Sequence, residues 1–75
     1  MKAWLKWLAE CDYKFTRIDN GEDDVRVYDF GNGLIVYKRE KGKGSNGGTV
    51  IYNNYTTFHG SVKDLTKRID EILSK

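Results

Sequence analysis

A single small α+β domain is what this sequence predicts, built as helix, four-stranded antiparallel sheet, helix, with both helices on one sheet face. Three observations carry that reading. The chain opens on a short amphipathic helical pattern, closes on a second one, and between them runs through β-type segments punctuated by two Asn-Gly pairs.

Residues 2–11 form the first helix. Met1, Trp4, Leu5, Leu8 and Cys11 recur at helical spacing, Lys2, Lys6 and Glu10 lie opposite, and Trp7 falls at the margin. A helix this short is marginal alone in water, so docking must hold it. The strands are placed at about 13–18, 24–30, 34–39 and 49–55. Asn20-Gly21 and Asn32-Gly33 each suit a two-residue hairpin turn, because both central residues need positive φ. Such a turn at Asn32-Gly33 sets Phe30 opposite Ile35, Tyr28 opposite Tyr37 and Arg26 opposite Arg39. One face then carries Tyr13, Phe15, Tyr28, Phe30, Ile35 and Tyr37, joined by Ile51 and Tyr55 if the fourth strand is in phase. The other carries Lys14, Thr16, Val25, Val27, Asp29, Val36 and Lys38. The aromatic face offers more apolar area and is expected to be the core, leaving the second face solvated. Ser61-Val62-Lys63-Asp64 resembles a capping box and opens the final helix, 61–74, with Val62, Leu65, Ile69, Ile72 and Leu73 as its apolar stripe.

The bulk numbers bound the rest. A chain of 75 residues buries only about 60% of its unfolded surface, so most apolar side chains are committed to the core. Hydrophobic residues are 39% and charged ones 32%, an ordinary globular balance. The net charge of +2 implies nucleic acid only where positive charge clusters. Cys11 is the single cysteine, which excludes an intrachain disulfide and points to a reducing compartment. No long apolar run or signal-peptide pattern appears, so a cytoplasmic protein without membrane contact is expected, as a complete small gene product.

The sharpest local feature is 38–48, a basic, glycine-rich arm running from Lys38 to Gly48. In an antiparallel meander it shares one end of the sheet with the acidic first turn, giving a pole of mixed charge. Arg26, Arg39, Lys41, Lys43, Glu22, Asp23 and Asp24 are therefore the candidate partner-binding residues. Electrostatic complementarity there would set specificity and association rate. Catalytic signals are thin. His59 is the only histidine, and Cys11, Ser61 and Asp64 are its nominal partners. One His and one Cys make no structural zinc site, and residues 19–24 lack the ligand spacing of a calcium loop. No catalytic residue, metal or cofactor is assigned.

Helix, antiparallel strands, helix is similar in outline to the double-stranded-RNA-binding domain and to small RNA-cleaving toxins built on it. In those the last helix opens on a lysine cluster; here it opens on Ser61-Val62-Lys63-Asp64, with Lys67 and Arg68 following. The composition, rich in Lys, Asn, Asp and Tyr and without Pro, also resembles small phage or mobile-element products such as anti-CRISPR inhibitors. The expectation is a non-catalytic protein acting stoichiometrically on a macromolecular, in the first place protein, partner, as a monomer or weak homodimer. The alternative is duplex DNA or RNA binding through Lys41, Lys43, Lys63, Lys67 and Arg68. A His59-dependent nuclease stands third.

Overall fold

The computed structural model describes residues 2–18, 24–40 and 47–74. Its elements run α1 (Lys2–Glu10), β1 (Thr16–Ile18), β2 (Val25–Gly31), β3 (Leu34–Arg39), β4 (Gly47–Tyr52), β5 (Tyr55–Ser61) and α2 (Val62–Leu73). The strands form one antiparallel sheet in chain order. The α+β class and the antiparallel sheet hold as expected, with five strands in place of four. The fifth arises because Asn53 and Asn54 both take positive φ, 52° and 70°, and turn the chain back where a continuous strand to residue 55 was expected. His59 consequently lies inside β5 rather than in a connection.

The β2–β3 register differs from the two-residue expectation. Gly31, Asn32 and Gly33 all have positive φ, and the Asp29 carboxylate accepts a hydrogen bond from the Gly31 N–H at 2.8 Å. Phe30 becomes the extra residue of a bulge, and pairing shifts by one: Tyr28 meets Val36, Val27 meets Tyr37 and Val25 meets Arg39. A one-residue slip exchanges the faces of a strand. Val36 and Lys38 therefore join the core side, while Ile35 and Tyr37 turn outward.

Both helices pack on the side now lined by Tyr28, Phe30, Leu34, Val36 and Val50. Trp4, Val62, Leu65 and Ile69 complete that core. Trp7, expected at the margin of α1, stacks on Trp4 with ring centroids 5.4 Å apart, whereas Leu5 is about half exposed. Tyr13 donates a hydrogen bond to the Asp70 carboxylate at 2.9 Å, fastening the segment before β1 to α2. Ser61 occupies the N-cap, but its hydroxyl donates to the Asp64 carboxylate at 3.2 Å rather than capping a backbone N–H.

Candidate functional site on the open face of the sheet

Every strand contributes side chains to the face opposite the helices, and the pairing register orders them into cross-strand rows. The central row is Ile18, Val27, Tyr37, Thr49 and His59, one residue from each of the five strands. Beside it runs Thr16, Asp29, Ile35, Ile51 and Thr56. On the other flank Val25 pairs with Arg39, and Gly47 pairs with Ser61. The result is an apolar centre of β-branched and aromatic side chains with a polar margin. Ile18 is 41% exposed and Tyr37 39% exposed, while Val27 is buried between them.

A hollow of about 360 Å³ opens in this face, walled by Val25, Tyr37, Arg39, Thr49 and His59 over the backbone of glycines 47, 48 and 60. Its cause is Gly47, which puts no side chain between Arg39 and Ser61 on the flanking row. The Thr49 hydroxyl and His59 Nδ1 are 2.8 Å apart and hydrogen-bonded. At the margin, the Arg39 guanidinium contacts the Asp24 carboxylate at 3.2 Å, both side chains about half exposed. The Glu40 N–H also donates to the Asp24 carbonyl, at 2.7 Å.

The expected site residues are only partly brought together. Arg39 and Asp24 meet as one ion pair on the open face. Arg26, expected opposite Arg39, pairs instead with Lys38, on the helix side, and donates to the Val25 carbonyl at 3.3 Å. Glu22, Asp23, Lys41 and Lys43, with the Asn20-Gly21 turn, lie outside the described residues. Lys63 and Lys67 are exposed on α2, across the sheet from Arg39. Arg68 stacks over the Phe58 ring at 5.4 Å and contacts Glu71 at 3.4 Å. His59 bonds to Thr49, Ser61 to Asp64, and the Cys11 thiol to the Leu8 carbonyl.

A second polar cluster sits on the helix side. Lys38, expected on the solvated face, is fully buried, and its Nζ donates to the Arg39 carbonyl at 2.5 Å. Burial lowers its pKa against the opposing pull of Glu40. The Tyr28 hydroxyl donates to Glu40; burial raises its pKa, that hydrogen bond adds to the rise, and the Trp4 indole and Arg17 act the other way. The Trp4 Nε1 itself is buried without an acceptor in hydrogen-bonding geometry. Lys38, Tyr28 and Trp4 are buried in the core, and Glu40 is half-buried at its edge.

Among the described residues no cluster of three or more His, Cys, Asp or Glu could hold a metal ion. None of the described helices is long and apolar enough to cross a membrane. No protein-family model, curated protein or solved structure matches the chain. Sequence reasoning missed Tyr37, Thr49, Ile18 and Ile51 as open-face residues. The available signal was Asp29-Phe30-Gly31, an Asx-type turn that sets the bulge and with it the exposed side of β3.

Proposed function

We propose that this domain is a non-catalytic binding protein that docks stoichiometrically on a protein partner through the open face of its sheet. The observation that carries the reading is the central row Ile18, Val27, Tyr37, Thr49 and His59, in which Ile18, Tyr37 and His59 are exposed, flanked by Ile35 and Ile51. An apolar centre with a polar, mixed-charge margin is the anatomy of a protein interface. The margin favours protein over nucleic acid. Among the described residues, Arg39 at this margin already contacts Asp24, Asp29 stands on a row of the same face, and Lys63, Lys67 and Arg68 lie on the opposite side of the domain. Phosphate binding would need positive charge gathered beside the aromatic surface. Occupying a functional surface on its partner is also how so small a chain would inhibit, as the compositional likeness to mobile-element inhibitors suggests.

The test places a photo-crosslinking residue at position 37 or at position 67 of the full chain, in lysate of the organism that encodes it. A protein captured only from position 37 is then purified and titrated. Ile18→Glu is expected to lower its affinity at least tenfold, and Lys67→Ala to leave it unchanged. Equal capture from both positions overturns the reading, as does an Ile18→Glu variant of undiminished affinity. Tight duplex binding that falls steeply with salt would instead establish the nucleic-acid alternative.

A further inference from the structure

We infer that the hollow over Gly47 receives a neutral aromatic side chain with a hydrogen-bonding tip, tyrosine foremost, presented by the protein partner. The inference rests on the open-face docking reading and specifies what anchors it. A hollow of about 360 Å³ lies at the lower end of the ligand-pocket range of about 300–1,000 Å³, suited to one ring rather than a large ligand. Val25 and the exposed Tyr37 ring supply apolar walls. Gly47 puts no β-carbon on this face, so a flat group can approach the backbone there closely.

Charge selects against an anion. The one cation among the described lining residues, Arg39, is in contact with Asp24 at 3.2 Å. A carboxylate or phosphate would have to displace that partner or sit beside its negative charge. A purely aliphatic group would cover Thr49 and His59 without meeting their remaining hydrogen-bonding capacity, which is costly once water is excluded. A phenol answers both conditions. His59 Nδ1 is engaged with Thr49, leaving Nε2 as the ring's other polar atom, which donates in one tautomer and accepts in the other. A phenolic hydroxyl can do either, so it satisfies His59 whichever tautomer is present. Tyr and Trp are also the side chains that most often dominate interface energetics when seated in a pocket.

The isolated full-length domain suffices for the test. The 15N-labelled protein is titrated separately with p-cresol, acetate and inorganic phosphate, and backbone amide shifts are followed. p-Cresol is expected to give saturable shifts at Gly47, Gly48, Thr49 and His59 with millimolar affinity, and the two anions none. Gly47→Val fills the hollow and should weaken p-cresol at least tenfold. Should that variant fail to fold, Tyr37→Leu, which removes the stacking wall, is expected to do the same. Absence of saturable p-cresol shifts overturns the assignment, as does saturable anion binding at these residues or a folded variant with unchanged affinity. Ile18 lies outside the hollow, so loss of partner affinity in Ile18→Glu combined with no p-cresol binding would overturn the anchor while leaving open-face docking in place.

Discussion

Leu65 of α2 lies against the bare backbone of Gly48 in β4. A β-carbon at position 48 would stand 2.8 Å from Leu65 Cδ1 and 2.6 Å from the Tyr37 carbonyl oxygen. The leucine could rotate away, but the carbonyl belongs to the paired strand and cannot. Gly48→Ala is therefore expected to destabilise the fold by about 1–3 kcal/mol, the usual cost of overpacking. Thermal denaturation reads this as a drop of about 4–8 °C per kcal/mol in a domain of this size. An unchanged melting temperature would mean that β3 and β4 part easily at this point, against the close contact described.

The Asn53-Asn54 turn makes a second prediction. Both residues hold positive φ, which asparagine tolerates far better than alanine. Asn54→Ala should cost about 1–2 kcal/mol. Asn54→Gly should cost nothing or stabilise, since glycine at the second central position is the preferred type I′ choice. Urea unfolding distinguishes the pair. Equal stability of the two variants would show that the turn can relax to another geometry.

How much of this was legible in the sequence depended on local chemistry. The α2 stripe, the extent of β3 and the Asn32-Gly33 reversal were readable because each is dictated by neighbouring residues. The faces of the sheet were not, because the bulge at Phe30 decides them for β3 and β4, and a second register shift between Val50 and Ile51 decides them for Phe58, His59 and the rest of β5. Lys38 shows the limit most plainly. Alternation from a two-residue turn sends it to solvent, whereas the bulged register carries it beneath the helices. Gly48 and Gly60 follow in the same cross-strand row and leave room for α2 above the sheet. The candidate site inherited that uncertainty. Arg39 and Asp24 were identified and meet, Arg26 went to the other side, and Tyr37 and Thr49 entered only with the true register.

The bulge itself can be tested. Asp29 stabilises it through the hydrogen bond to the Gly31 N–H, so Asp29→Asn, which retains an acceptor, should be tolerated. Asp29→Ala removes the acceptor and should cost about 1 kcal/mol, the typical net value of one hydrogen bond. Urea denaturation compares the two. Identical losses for Ala and Asn would assign the effect to charge instead of the turn.

Alkaline pH should separate the two buried groups at the Glu40 cluster, because their pKa shifts run in opposite directions. Tyr28 is raised above the ordinary tyrosine value of about 10. The folded state holds its proton more tightly than the unfolded chain, so that contribution is complete below about pH 10 and is lost as pH climbs through the folded value. Lys38 is lowered below the ordinary lysine value of about 10.4. Its folded form sheds the proton first, so burial of the ammonium opposes folding at neutral pH, and that penalty fades as pH approaches about 10.4. Urea midpoints taken from about pH 7 to pH 11 should therefore rise before they fall. Lys38→Met should abolish the rise. Tyr28→Phe should shrink the fall without removing it, since Tyr13 is also raised, chiefly by its hydrogen bond to Asp70. A rise that persists in Lys38→Met would show that another group supplies it.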